Sequence, residues 1–250
     1  MITPGDHRQL IAPAKLTLSL RIVGVRSDGY HLIDAEMVSL SLHDVLTIEE
    51  HASGLTITGR YAAGVPTDSR NLVAATLERV GRTAGVTIDK RIPHGGGLGG
   101  GSTDAAAVLR WAGVDDLSVA AEIGADVPFC LVGGRARVTG IGEIVEPLVF
   151  LEGTVTLVVP PLRVSTPAAY AAWDALGGPR SDGPNDLEPA AISVVPELAR
   201  WRDAIAEACG RQPVLAGSGA TWFVLGEHSN ALAALGDEGA EVVVARTVPA

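Results

Sequence analysis

The chain has 250 residues and sets 19 Lys and Arg against 29 Asp and Glu, giving a formal charge of −10 and a pI of ≈ 5.0. So acidic a chain exerts no general pull on nucleic acid or an anionic membrane surface, and any phosphate it binds must be held by local groups. With 47% hydrophobic and 19% charged residues, it can bury one large core or two smaller ones.

In chain order, the first element is a strand over residues 15–23, where Leu16, Leu18, Leu20 and Ile22 alternate with Thr17, Ser19 and Arg21. Lys15, Thr17 and Ser19 then share the opposite face. A polar turn at 26–29 precedes Tyr30 and His31, and strand-like runs follow at 36–42, 45–48 and 55–58. Asn71 suits the N-cap of a helix to about residue 83, stopped by Gly85. Residues 86–92 read as a strand that opens into a glycine run, after which 103–111 and 118–123 are helical and 135–140 is a strand. From 154 a second series begins: a strand to 159, a Pro-Pro turn, a helix over 166–176 and a Gly/Pro/Asp loop through 184. A helix over 196–208 follows, then strand, Gly-Ser-Gly loop, strand, helix and a last strand. Strands and helices without strict βαβ alternation predict an α+β protein of two α/β sandwich domains, 1–152 and 153–250.

No stretch offers the roughly 18 uncharged apolar residues of a membrane span. The longest candidate, 144–159, is cut by Glu146, Pro147, Glu152 and Gly153. The start MITPGDHRQL lacks the basic and apolar regions of a signal peptide, and Cys130 and Cys209 are too few for a disulfide framework. A cytoplasmic setting with both thiols in the core is expected. Only Lys15 and Lys90 are lysines, a scarcity that arginine-rich codon usage explains.

The most informative segment is Pro93-His94-Gly95-Gly96-Gly97-Leu98-Gly99-Gly100-Gly101-Ser102-Thr103-Asp104. Glycines let the backbone approach a ligand closely, and the loop feeds a helix N-terminus, whose N–H groups and dipole favour phosphate. The P-loop pattern fails because Gly100 is followed by Gly101 rather than lysine. A G-x-G-x-x-G match is present, but a dinucleotide fold needs a second apolar strand ending in an acid, and residues 114–124 are charged and helix-like.

The string PHGGGLGGGSTDAA resembles the phosphate loop of the GHMP kinases. Flanking pieces extend the resemblance over nearly the whole chain: APAKLTLSL at 12–20, DGYH at 28–31, GADVPF at 124–129, GIGE at 140–143, VSTPAAY at 164–170, NDLEP at 185–189 and AGSGAT at 216–221. They narrow it to the branch that phosphorylates a cytidine diphosphate-linked methylerythritol on the non-mevalonate isoprenoid route. The resemblance implies a GHMP kinase fold with its active site in the cleft between two domains. It also implies ATP and Mg²⁺, a small-molecule acceptor, no nucleic-acid or membrane partner, and a monomer or weak homodimer.

By the same resemblance Lys15 and Asp126 form the catalytic pair. A carboxylate can orient the acceptor hydroxyl and take its proton, while an adjacent ammonium offsets charge on the transferring phosphoryl group. On spacing alone, Asp126 reads more readily as a turn-capping carboxylate before Pro128, and the resemblance reverses that order. Asn71, Leu72 and Lys90 are implied at the adenine side, the segment from Pro93 to Thr103 around the phosphates, and the Ser102 hydroxyl beside the metal or β-phosphate. Asp104 suits dipole compensation in the first helical turn, with metal ligation as the alternative. Tyr30 and Tyr170 are implied to sandwich cytosine, His31 to read its edge, and Thr17, Thr166, Pro167, Gly217, Ser218 and Gly219 to surround the rest of the acceptor.

The family has asparagine where Thr17 stands, which bears on the acceptor more than on phosphoryl transfer, and the connections near 49–70 and 177–185 are short. Two rivals remain: a homoserine- or mevalonate-type kinase, and a non-catalytic nucleotide-binding protein. DGYH and Tyr170 oppose the first, because those acceptors carry no base. The joint presence of Lys15 and Asp126 opposes the second.

Overall fold

The computed structural model describes residues 7–250; the first six residues of the MITPGDHRQL start considered above lie outside it. The chain opens with two long antiparallel strands, β1 (His7–Val25) and β2 (His31–Glu49). The sequence marks only their middle portions because the β1–β2 ladder slips between Pro13 and Lys15, between Thr17 and Ser19, and between Ile22 and Gly24. Each slip changes which face the following residues present. Leu16 therefore joins one buried cluster while Leu20 and Ile22 join another, although all three have the same parity in the sequence.

Next come β3 (Gly54–Thr58), α1 (Leu72–Arg79) and β4 (Gly85–Asp89). Asn71 caps α1 as expected, its Oδ1 accepting from the Val73 N–H at 2.9 Å. The helix stops at Arg79 rather than near 83, and Gly85 starts β4 instead of ending the helix. Three helices follow, α2 (Gly100–Ala112), α3 (Leu117–Ile123) and α4 (Val127–Val132), then β5 (Arg135–Gly140) and β6 (Ile144–Pro147). The small side chains Ala105, Ala106 and Ala107 let α2 lie close against β1, all at most 1% exposed. Leu109 and Phe129 are buried beside them, each contributing about 1.5–3 kcal/mol of transfer free energy.

The remainder comprises β7 (Thr154–Val159), α5 (Thr166–Ala175), α6 (Glu188–Val194), α7 (Glu197–Cys209), β8 (Val214–Leu215), β9 (Trp222–Leu225), α8 (Ala233–Asp237) and β10 (Glu241–Val248). Sequence periodicity did not mark α4, α6 or β6: the two short helices begin around Pro128 and Pro189, and the four-residue strand ends at Pro147.

The sheet path runs β3-β4-β2-β10-β7-β9-β8, with β1 and β5 also on β2 and β6 on β5. The join is β10, which pairs with β7 over most of its length and with β2 through Thr247 and Val248. The break near residue 150 falls between β6 and β7, yet one buried cluster draws Leu16, Leu40 and Leu98 together with Leu157, Ala216 and Phe223 from across it. Cys130 is buried, and that burial pushes its thiol pKa up. Cys209 instead sits half-exposed at the end of α7, correcting its expected core placement. Among the described residues no helix is long and apolar enough to cross a membrane.

Candidate active site

The glycine segment leaves β4 and enters α2 through Gly99, which adopts φ 69° at the N-cap without any side-chain cap. The first-turn N–H groups of α2 therefore face the loop, the arrangement that receives an anion. Three contacts fasten the loop from outside. The Lys15 N–H donates to Leu98 O at 3.0 Å, Thr103 Oγ1 to Pro13 O at 2.7 Å, and Thr221 Oγ1 to Gly96 O at 2.5 Å. The two glycine loops lie backbone on backbone, since a Cβ on Gly219 would stand 2.8 Å from Gly97 Cα.

Lys15 and Asp126 meet beside this loop, Nζ to Oδ2 at 3.2 Å, with side chains 7% and 36% exposed. Asp126 occupies the N-cap position of α4, but its side chain makes no capping bond. Its carboxylate faces Lys15 instead, so the turn-cap alternative does not apply. Lys15 also donates to Thr17 Oγ1 at 3.2 Å, which gives the threonine at this position a partner in the site.

A cavity of about 830 Å³ opens from the pair. It is bounded by Thr17, Tyr30, His31 and Ser102 from the first half, and by Thr166, Pro167, Tyr170, Gly217 and Ser218 from the second. Tyr30 is 60% exposed. Tyr170 is held by the His31 ring, 4.7 Å away between centroids and tilted by 32°. Burial, aided by the Asp126 charge, pushes the Tyr170 hydroxyl up to about 12. The His31 ring packs edge-on against Trp173, and its Nε2 lies 2.9 Å from Asp174 Oδ1. Thr166 and Ser218 join their hydroxyls at 2.8 Å across the cavity wall.

Several expected positions have scaffold contacts of their own. Gly219 packs on the other glycine loop rather than on the cavity wall. Thr103 is fully buried and spends its hydroxyl on Pro13, and Leu98 is a core residue. Asn71 uses both ends of its amide internally, capping α1 and donating to Pro66 O at 2.8 Å. Leu72 does reach the loop, with its Cδ1 3.7 Å from where a Gly101 Cβ would stand.

Lys90 departs furthest from expectation. Its side chain is 4% exposed, with the ammonium bonded to Asp44 and, at 2.7 Å, to Asp104. The side chain is therefore enclosed beneath the loop and not presented to a base. Burial works against its charge, but the two carboxylates more than offset this and hold its pKa above the ordinary lysine value. Asp104 is pushed up to about 7 by burial, with Lys90 opposing and Asp44 adding to the rise. Its Oδ2 bonds the Lys90 ammonium, while its Oδ1 is buried without a hydrogen-bond partner among the described residues.

The sequence did not single out Asp44, yet its Oδ1 accepts from the N–H groups of Arg91 and Ile92 at 2.5 and 2.8 Å and so sets the chain's entry into the loop. Asn185 likewise fastens the second loop, its Nδ2 donating to Leu215 O and Gly217 O at 2.8 and 2.7 Å. Asp186 clips this segment to β1 through Arg21 at 2.7 Å. The NDLEP string carried the signal for both but not their partners.

This mixed sheet, with a glycine turn into a helix and a Lys–Asp pair at the mouth of a deep cavity, defines a GHMP-type small-molecule kinase. The family model "GHMP kinases N terminal domain" matches residues 70–134. The crystal structure of homoserine kinase from Cytophaga hutchinsonii shares the fold at TM-score 0.64 and 19% identity, covering 100% of this chain and 96% of that one. Closer likeness comes from the 4-diphosphocytidyl-2-C-methyl-D-erythritol kinase of Paracoccus denitrificans, 40% identical over 238 residues, 88% of this chain and 87% of the relative. The enzyme of that name from Nocardia farcinica is 39% identical over 280, covering 95% and 91%. A crystal structure of 4-(cytidine 5'-diphospho)-2C-methyl-D-erythritol kinase superposes at TM-score 0.78 with 33% identity, covering 97% of this chain and 100% of that one. The chain belongs to the 4-diphosphocytidyl-2-C-methyl-D-erythritol kinase family and is an ATP-dependent small-molecule kinase.

Proposed function

We propose that the chain transfers the γ-phosphate of ATP to the 2-hydroxyl of 4-diphosphocytidyl-2-C-methyl-D-erythritol, on the non-mevalonate route to isoprenoid precursors. The observation that carries this reading is the Lys15–Asp126 pair, 3.2 Å apart where the glycine loop meets the large cavity. Asp126 orients the acceptor hydroxyl and takes its proton, and Lys15 places a positive charge beside the phosphoryl group in flight. Thr17 also accepts a hydrogen bond from the Lys15 ammonium.

ATP lies along the first half, residues 1–152, with adenine toward Asn71 and Leu72 and the phosphates on the loop from Pro93 to Ser102. The acceptor lies against the second half, residues 153–250. Its cytosine stacks between Tyr30 and Tyr170, with His31 at the base edge, and its diphosphate runs toward Gly217 and Ser218. A cavity of about 830 Å³ suits a ligand of that size. Every residue invoked comes from one chain, which accommodates a monomer or a weak homodimer.

Mg²⁺ accompanies the nucleotide. Among the described residues no group of three His, Cys, Asp or Glu side chains is placed to hold an ion, and Asp104 is committed to Lys90. The Ser102 hydroxyl, on the cavity wall in the first turn of α2, would be the protein oxygen for such an ion. When bound, it would offset negative charge on the phosphates of the nucleotide.

ADP release from ATP, Mg²⁺ and the cytidine diphosphate acceptor, compared with homoserine and mevalonate, tests the reading. Turnover with homoserine or mevalonate alone would overturn the acceptor assignment. Asp126→Asn is expected to lower kcat by about 10²- to 10⁴-fold while ATP still binds, and near-normal turnover would remove Asp126 from the reaction.

A further inference from the structure

The chain is acidic, and the cations nearest the glycine loop are already committed. Lys15 faces Asp126 and Thr17, Lys90 is enclosed with Asp44 and Asp104, and Arg91 pairs with Asp89 at 2.7 Å. A triphosphate on the loop still needs positive charge beyond what helix N–H groups supply. Arg163 is the exception among these neighbours. It lies in the connection between β7 and α5, in the second half of the chain, and its side chain is laid along Gly95. Its Nε, Cγ and Cδ stand 3.5, 3.6 and 3.7 Å from where a Gly95 Cβ would be. Gly95 has φ 80° and presents no side chain between Arg163 and the loop. Arg163 is exposed and has no carboxylate partner among the described residues.

We infer that Arg163 is a ligand of the ATP phosphates, reaching over the first glycine loop from the acceptor-side half of the chain. The inference rests on the reading that ATP lies along this loop. The charge of Arg163 is already felt there: burial lowers the pKa of the adjacent His94, and Arg163 and then Lys90 lower it further. A guanidinium suits the task because its planar fork meets two phosphate oxygens at once.

The placement also ties the two substrates together. Three residues beyond Arg163, Thr166 begins α5 and bonds Ser218 at 2.8 Å, and Pro167 and Tyr170 continue as cavity wall. A nucleotide that draws Arg163 onto its phosphates fixes one end of the segment whose other end bears the acceptor. Binding of ATP should then favour binding of the acceptor, and the reverse by linkage.

The test measures affinity for ATP and AMP, without acceptor, in the wild type and in Arg163→Met and Arg163→Lys, alongside steady-state kinetics. Methionine keeps an apolar stem against Gly95 and removes the charge. Arg163→Met is expected to weaken ATP about 10- to 100-fold, to leave AMP nearly unaffected, and to abolish the fall in acceptor KM at saturating ATP. Arg163→Lys should recover part of the ATP affinity. Wild-type ATP affinity in Arg163→Met, in a protein that still turns over, would overturn the inference alone. Equal weakening of ATP and AMP would also overturn it, by reducing Arg163 to a packing role. If the wild type itself fails to bind ATP, the kinase reading falls and takes the inference with it.

Discussion

Gly99→Ala probes how tightly the loop and the Lys15–Asp126 pair are coupled. A Cβ at this position would stand 2.6 Å from Lys15 Cγ and 3.3 Å from Lys15 Cε. Carbon atoms meet comfortably at about 3.5 Å, so the lysine must retreat by roughly 1 Å. It has little room to do so, because its side chain is 7% exposed and its N–H is bonded to Leu98 O at 3.0 Å. Misplacing a reacting group by about 1 Å costs on the order of 100-fold in rate. Forcing a left-handed backbone on alanine costs a further ~1–2 kcal/mol of stability. The expected outcome is a kcat about 100-fold lower in ADP release at saturating substrates, with thermal unfolding about 2–8 °C lower. Gly113→Ala separates the two effects, since Gly113 closes the other end of α2 at φ 75° with nothing within 4 Å of an added Cβ. It should show a similar loss of stability and unchanged turnover. A folded Gly99→Ala protein whose kcat matches that of Gly113→Ala would refute the proposed coupling.

Asp104 governs a pH dependence of stability. Its folded pKa of about 7 lies above the ordinary aspartate value of 3.8, so the folded state holds that proton more tightly than the unfolded chain does. The associated stability is fully present below the unfolded value and is lost as pH rises toward about 7. Relative to Asp104→Asn, the wild type should therefore lose stability in urea titrations between acid and neutral pH, and parallel profiles would contradict the assignment. Tyr30 is 60% exposed, so Tyr30→Ala should barely change stability. Loss of base stacking, worth about 1–3 kcal/mol, should raise the acceptor KM roughly 5- to 150-fold while the ATP KM stays put. An unchanged acceptor KM would exclude the stacking role.

What the sequence made legible was local. Asn71 announced a cap by its side-chain chemistry, the glycine run announced a backbone able to approach an anion, and residues 103–111 after it announced a helix. These depend on neighbours along the chain, where period and backbone preference are written. The family resemblance also named Lys15 and Asp126, which the fold brings to 3.2 Å.

Other features depended on residues distant in the chain, and only the tertiary structure decided them. Register slips in β1 divide residues of one parity between two core clusters, a rearrangement that alternation does not encode. The two lysines are indistinguishable in composition, yet one stands at the cavity and the other is enclosed between Asp44 and Asp104. Asp126 has the position of a helix cap without performing that role, because a lysine from β1 lies within reach. Pairing and burial are set by through-space distance and desolvation, and the three-dimensional fold determines both.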